Sequence, residues 1–314
     1  MKISVITPGF NEGRKIKNSI EKIISILNEY FYDSWELIFI NDGSTDNTIN
    51  ELSNVEERVE NFQIISYTNN RGRGYALKKG IKQAKGDFVL TTESDLNWGT
   101  SIIKNLYKEI TQSGKDIIIA SPHTQNGLIV NVPYYRKFLS KWGNKILSLS
   151  INNKLTMLSG MTRIYKRDCI QSLSLLSNDK EIHLEIISKA YALGYHIGEI
   201  PAILTWPKTV KKTAKKSSFN AKKYIFSHLY FSFFERPFML FGILGFTLLA
   251  IGLSLGFYIL YLFYYNALNP DRPIMTLLIL LILGGIFILS FGLIGMQINH
   301  LRKEVYYLQK KNNR

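Results

Sequence analysis

Cysteine is nearly missing: Cys169 is the only one in 314 residues. The chain can therefore form neither an intrachain disulfide nor a cysteine-cluster metal site, and a reduced compartment fits. The common phosphate-binding signatures are missing too. Gly72-Arg73-Gly74 has Leu77 where a dinucleotide fingerprint needs a third glycine, and it follows the third predicted strand rather than the first. No Gly-x-x-x-x-Gly-Lys-Ser/Thr occurs, since Gly114-Lys115 runs into Asp116. A signal peptide is not expected, because residues 2–7 are too short a run and lead into a turn.

Charge is missing over two long stretches. None lies between Arg236 and Asp271, and none between Arg272 and Arg302 apart from the titratable His300. Each exceeds the roughly 20 apolar residues that cross a bilayer. Membrane helices are expected near 238–263 and 274–296, with a buried hairpin in a soluble core as the alternative. Acid is scarce around them. Seven lysines between Lys208 and Lys223, including Lys211, have no acid among them, and the tail after His300 carries a net of four positives out of +15 for the chain. That asymmetry predicts an integral membrane protein with both the N-terminal domain and the C-terminus cytosolic. It points to anionic lipid headgroups and not to nucleic acid.

What is present in the first 120 residues is an alternation of strand and helix patterns. Strands are expected at 3–7, 36–40, 64–67, 88–92 and 116–120, with helices at 13–29, 48–58, 74–84 and 101–110. This order predicts an α/β fold, a mixed and mostly parallel sheet with helices on both faces. Further on, a helix is expected at 133–149, a strand at 157–165, a helix at 180–193 and a strand at 196–202. The expected divisions are a catalytic domain over 1–205, a lysine-rich linker with an aromatic interfacial helix over 206–236, two transmembrane helices over 237–301, and a basic tail over 302–314.

The candidate site follows from where the polar turns fall. Glu93-Ser94-Asp95 closes the apolar run 87–92, and two carboxylates at the C-terminal edge of a buried strand sit where open α/β sheets bind ligands. Their hard oxygens suit a divalent cation that can grip a diphosphate. The same residues also read as a polar turn in which Asp95 or Asn97 caps the next helix. Three more such turns precede it: Thr7-Pro8-Gly9-Phe10-Asn11-Glu12, Asn41-Asp42-Gly43-Ser44-Thr45-Asp46, and Asn69-Asn70-Arg71-Gly72-Arg73-Gly74. Four successive polar turns on one sheet edge suggest a nucleotide-diphosphate pocket. His183 and His196 read as packing or surface histidines.

In this order and spacing the four turns resemble glycosyltransferase family 2 with the Rossmann-like GT-A fold. The nearer resemblance is to its polyprenyl-phosphate hexose synthases, of the dolichyl-phosphate mannose synthase kind. Arg136 and Ser140 are similar to that group's Arg-x-x-x-Ser helix, and Ser159-Gly160-Met161-Thr162-Arg163 to its Ser-Gly-Phe-Arg stretch. Glu185 and Glu199-Ile200-Pro201 resemble the elements that close the catalytic domain, and the two-helix anchor resembles that of bacterial and archaeal members. Glu93 and Asn41 stand where the family usually has Asp.

The resemblance implies roles. Pro8, Phe10, Glu12, Asn41, Asp42, Arg71, Ser94 and Asp95 would bind the donor. Glu93, Asp95 and Asn97 would surround Mg²⁺ or Mn²⁺. Arg136, Ser140, Arg163, Lys208 and Lys211 would meet the acceptor phosphate, with Asp95, Arg136 and Arg163 as the catalytic set. The implied activity is inverting, metal-dependent transfer of a hexose from a nucleotide sugar (GDP-mannose or UDP-glucose type) to polyprenyl or dolichyl phosphate. A polysaccharide synthase is disfavoured because no Gln-x-x-Arg-Trp occurs. A non-catalytic, membrane-tethered nucleotide-sugar-binding scaffold is the remaining alternative. A homo-oligomer packed through the Gly-bearing faces 242–256 and 284–295 is also expected.

Overall fold

The structure is a computed structural model that describes residues 2–132, 155–206, 237–265 and 273–312. The expected helix at 133–149 with Arg136 and Ser140, the lysines Lys208 and Lys211, the interfacial stretch 220–234 and the outer loop 266–272 all lie outside those residues. The chain divides into two compact units, Met1–Ser227 with Tyr306–Arg314, and His228–Val305.

The first unit is built on four βα steps: β1 (Ile3–Gly9), α1 (Lys15–Phe31), β2 (Trp35–Asp42), α2 (Thr48–Glu56), β3 (Phe62–Tyr67), α3 (Arg73–Gln83), β4 (Phe88–Thr91) and α4 (Ile102–Gln112). There follow β5 (Ile117–Ser121), β6 (Leu128–Val130), β7 (Arg163–Lys166), α5 (Arg167–Gln171), α6 (Ile182–Ala192), β8 (Ile197–Pro201) and β9 (Ile203–Thr205). Seven strands form one sheet in the order β3-β2-β1-β4-β7-β5-β8. All its pairings are parallel except those of β7, which runs antiparallel to both β4 and β5.

The apolar pattern explains the layers. Every residue of β2 and β5 is buried, as continuous apolar strands covered on both faces must be. In α1, Ile16, Ile20, Ile23, Leu27 and Phe31 recur at helical spacing and are all buried. From β1 the chain steps outward to β2 and β3, then returns across β1 to β4. Right-handed crossovers therefore put α3 on the face opposite α1 and α2. Gly80 makes the close fit of α3 possible, since a Cβ there would lie 2.5 Å from Ile6. The reversal at β1 and β4 opens a crevice at their C-terminal ends.

Two expectations change. The strand expected over 157–165 is confined to Arg163–Lys166. Upstream of it the backbone is claimed by side chains: Glu199 accepts from the amides of Thr156 and Met157 at 2.7–2.9 Å, and Arg163 donates to the Leu158 carbonyl at 2.5 Å. The sequence reading also missed β6 and β9, two three-residue strands that pair in parallel as a separate ribbon.

The second unit contains α7 (Pro237–Tyr264) and most of α8 (Ile274–Asn312). Phe241–Tyr264 and Ile274–Gln309 are long and apolar enough to cross a membrane, and their most apolar windows are only 17% and 11% buried. A soluble-core hairpin would be mostly buried. At 39 residues α8 runs on well past the expected end at 296. Its length, about 58 Å at 1.5 Å per residue, exceeds the roughly 30 Å apolar core of a bilayer. The glycines expected between subunits are largely used within the chain. A Cβ on Gly245 would meet Leu289 at 2.7 Å, on Gly285 would meet Leu249 at 2.7 Å, and on Gly295 would meet Pro237 at 2.5 Å. Close approach of the two helices consumes those faces, and Gly284 alone of the second set faces open space.

Candidate active site

The four polar turns lie together at the C-terminal edge of the sheet, and hydrogen bonds fasten the first to the second and the second to the third. Asn11, in the left-handed region at φ 53°, donates its amide to Ser44 Oγ at 3.0 Å and accepts from the Thr45 amide at 2.9 Å. The Glu12 and Gly13 amides both donate to Thr48 Oγ1 at 3.0 Å. The first turn is thus set by the second. Pro8 and Glu12 are half-buried, while Phe10 is 41% exposed.

The second turn in turn sets the third. Asn41 is buried; its Nδ2 donates to Ser66 Oγ at 2.7 Å and its Oδ1 accepts from the Ser44 amide. Asp42 is buried as well. It accepts from the Tyr67 hydroxyl at 2.8 Å and from the Arg71 and Gly72 amides at 2.8 and 3.0 Å. Burial, helped by the Asp42 carboxylate, pushes the Tyr67 phenol far up, so it stays a donor. Asp42 therefore spends three acceptor positions on shaping the third turn. Arg71 is exposed, and its guanidinium hydrogen-bonds the Tyr75 hydroxyl at 2.9 Å. Gly72 has φ 93°, and a Cβ there would lie 2.6 Å from the Asn178 carbonyl oxygen, so glycine is required.

The fourth turn carries the acids. Glu93 is half-buried, and one of its oxygens, Oε2, accepts from Trp98 Nε1 at 2.9 Å and from Thr162 Oγ1 at 2.6 Å. Ser94 is buried, and Leu96 takes φ 53°. Asp95 is exposed, accepts from the Asn97 amide at 3.3 Å, and also pairs with the Asn97 side-chain amide. Enclosure by the surrounding chain, then the charges of Glu93 and Glu12, push the Asp95 carboxyl up to about 6, while the Asn97 amide and Arg73 pull the other way. Among the described residues, three carboxylates within electrostatic range and one guanidinium leave the site short of positive charge.

Arg163 is not brought to this surface. It is fully buried in β7, with its guanidinium donating to the carbonyls of Leu158 and His183. Burial alone lowers its affinity for a proton, and this placement makes it an internal support, out of reach of a lipid phosphate at the surface. His183 is also buried, and burial together with Arg163 and Arg73 drives its pKa well below the usual value, so it is neutral. The sequence reading missed Arg73, Trp98 and Thr162. Arg73 lies between two glycines in a turn already suspected, and Trp98 is an indole in a polar turn; both were visible signals. Thr162 sits 69 residues from Glu93, with no local signal at all.

A divalent cation fits this set. Mg²⁺ and Mn²⁺ are commonly held by one or two carboxylates together with substrate phosphates. The Asp95 carboxyl is raised first by enclosure and then by the charges of Glu93 and Glu12, and a cation would relieve the second part. Among the described residues, no three His, Cys, Asp or Glu side chains are grouped so that they could hold a metal ion by themselves, so substrate phosphates would have to complete the set.

Comparison with known proteins gives the family and the fold. The profile of "Glycosyl transferase family 2" matches residues 4–173, more than half of the chain. Over 99% of its length the chain is 26% identical to the Bacillus subtilis protein named "Putative glycosyltransferase CsbB", covering 92% of it. It is 26% identical to the dolichol-phosphate mannosyltransferase of Pyrococcus furiosus over 73% of the chain and 62% of that protein. It is 28% identical to the dolichyl-phosphate beta-glucosyltransferase ALG5D of Trichomonas vaginalis over 53% of the chain and 51% of that protein. The chain thus spans less than two thirds of the last two. In fold it is similar to glucosyl-3-phosphoglycerate synthase of Mycobacterium tuberculosis, solved with phosphoglyceric acid, at a TM-score of 0.56 and 18% identity, covering 74% of this chain and 80% of that one. The same enzyme solved with Mn²⁺, uridine diphosphate and glucosyl-3-phosphoglycerate gives 0.55 with equal coverage and identity. The chain belongs to glycosyl transferase family 2, and its fold is that of the GT-A enzymes.

Proposed function

We propose, with membership of glycosyl transferase family 2 as the premise, that the chain is a membrane-anchored transferase. It moves a hexosyl group from a nucleoside diphosphate sugar to a polyprenyl or dolichyl phosphate. The observation that carries the reading is Asp95, an exposed carboxylate raised to about 6 beside Glu93 and Glu12 at the mouth of the crevice. Two relatives are named for transfer to dolichol phosphate, which supports the acceptor class. In this reading 1–205 is the catalytic domain, 206–236 the linker and interfacial helix, 237–301 the anchor and 302–314 a cytosolic tail.

The pocket's work is division of labour. Pro8, Phe10, Glu12, Asn41, Asp42, Arg71 and Ser94 form the wall for the nucleotide, with Asp42 acting through the turn it shapes. Asp95, Glu93 and Asn97 would hold Mg²⁺ or Mn²⁺, and the ion would supply Lewis-acid stabilisation of negative charge on the diphosphate. Arg136, Ser140, Lys208 and Lys211 receive the acceptor phosphate, and Arg163 braces the Leu158 and His183 carbonyls inside the domain. The acceptor is already an anionic nucleophile, so no strong general base is needed. A phosphate oxygen bonds to the anomeric carbon as the bond to the diphosphate oxygen breaks on the opposite face, inverting the centre.

The test is transfer itself. The full chain in vesicles containing polyprenyl phosphate, with Mg²⁺ or Mn²⁺, is offered labelled UDP- and GDP-sugars in turn. Label should enter the lipid phase with one donor, and should be lost on chelation and in Asp95→Ala. A folded chain that binds metal and nucleotide yet labels no lipid would sink the acceptor assignment.

A further inference from the structure

The ribbon of β6 and β9 carries a surface that the reaction leaves unused. Its parallel register sets Leu128 beside Ile203 and Val130 beside Thr205. Alternation along a strand puts these four side chains on one face. Leu128, Ile203 and Val130 are 56%, 50% and 38% exposed, against half-buried Ile129 and Leu204 on the other face. A lone exposed apolar side chain is ordinary, but three branched ones side by side on a two-stranded ribbon point to a partner.

The chain itself indicates which partner. Strand β9 ends at Thr205, and Lys208 opens the acid-free run of seven lysines that ends at Lys223. Chain geometry keeps Lys208 within about 10 Å of Thr205 in any conformation. An apolar strip with a basic segment beside it has the composition that binds the headgroup boundary of an anionic bilayer. The same segment leads on to α7, which is long and apolar enough to cross a membrane. The ribbon is also tied to the acidic turn, since the Thr205 amide donates to the Asn97 carbonyl at 2.8 Å.

We propose that Leu128, Val130 and Ile203 dip into the surface of an anionic bilayer, whose charge complements the lysine-rich sequence that follows Thr205. The bond from Thr205 to Asn97 then holds the Glu93–Asn97 turn close to the plane of a lipid phosphate. The proposal rests on the reading of the chain as a membrane-anchored transferase. It concerns contact with lipid, however, and can be tested without turnover.

The experiment uses the full chain in vesicles of phosphatidylcholine and phosphatidylglycerol. An environment-sensitive nitrobenzoxadiazole label is placed at Leu128→Cys or Ile203→Cys, with Tyr32→Cys as the reference. Tyr32 is 77% exposed and lies just before β2, at the opposite edge of the sheet from the turns. The native Cys169 is buried and stays unlabelled. Labels at 128 and 203 should emit to the blue and be quenched by spin-labelled lipid, and the label at 32 should not. Quenching should weaken when phosphatidylglycerol is replaced by phosphatidylcholine. The label at 203 should lose its quenching when Leu128→Asp and Val130→Asp are added. Labels at 128 and 203 as wet and unquenched as that at 32 would overturn the proposal. So would labels that are blue-shifted but untouched by spin-labelled lipid, because protein, either this chain or a second copy, would then cover the face. Quenching here, with no transfer in the separate assay with polyprenyl phosphate and nucleotide sugar, would leave the lipid contact standing and sink the acceptor assignment instead.

Discussion

Asp95→Asn should stabilise the metal-free protein while abolishing its response to metal. In the folded chain the Asp95 carboxyl is raised from 3.8 to about 6, first by enclosure and then by Glu93 and Glu12. A group whose folded pKa lies above its unfolded value favours the fold at low pH, where both states are protonated. That contribution is lost as pH rises through the folded value. Above pH 6 the wild-type chain therefore carries an ionised Asp95 that the fold disfavours. The full shift corresponds to about 3 kcal/mol at 1.36 kcal/mol per unit. The side chain is exposed, so solvent screening reduces this to about 1 kcal/mol. For a unit of this size that is about 2–4 °C in Tm. The assay is a thermal scan of the detergent-solubilised chain with chelator at pH 4 and pH 7.5. Asp95→Asn should melt higher than wild type at pH 7.5 and level with it at pH 4. Added Mn²⁺ and UDP should raise the melting point of wild type only. A variant that melts lower than wild type at pH 7.5 with chelator, or that keeps the metal-dependent rise, would refute the electrostatic account of the turn.

The remaining predictions concern the supports around that turn. Glu93→Asp shortens the side chain by one methylene and cannot keep Trp98 and Thr162 on the same oxygen. Thr162→Val removes one of those donors outright. Both variants should stay folded and bind Mn²⁺ in the presence of UDP about 10–100-fold more weakly. Titration calorimetry reads this, and unchanged affinity in both would mean that Glu93 takes no part in holding the metal. Glu199→Gln removes the charge that gathers the amides of Thr156 and Met157 and the Thr156 hydroxyl. It should cost about 1–3 kcal/mol, with faster hydrogen exchange at Thr156 and Met157. Exchange as slow as in wild type would show that the carboxylate is not what orders the segment.

The parts legible in the sequence were those with a local cause. The four βα steps could be read because buried strands such as Trp35–Asp42 and helices such as Lys15–Phe31 carry their periodicity in consecutive residues. The polar turns followed from the strands, since a sheet edge is where such turns come together. What the sequence did not disclose depended on distant partners. Residues 157–162 have the composition of a strand, yet Glu199 and Arg163 claim their backbone from elsewhere in the fold. Arg163 reads as a phosphate ligand by residue type, but β7 carries it inside the sheet. The ribbon strands are three residues each, too short for any period to be seen.

The same hydrogen bonds explain why Asp95 stands apart from the other acids. Asp42 is satisfied by Tyr67, Arg71 and Gly72, and Glu93 has Trp98 and Thr162 on one oxygen. These carboxylates shape turns, and their cost of burial is met by donors within the chain. Among the described residues Asp95 receives donors from Asn97 alone, its neighbour two residues on, and it remains exposed with its proton affinity raised. A rigid frame that leaves Asp95 exposed beside Glu93 and Glu12 is preorganised for a ligand that brings positive charge. Removing a frame residue should therefore loosen binding by blurring geometry, whereas removing Asp95 should relax the empty fold and erase the site. The two classes of variant differ in the sign of their effect on stability, which separates framework from ligand more sharply than loss of activity can.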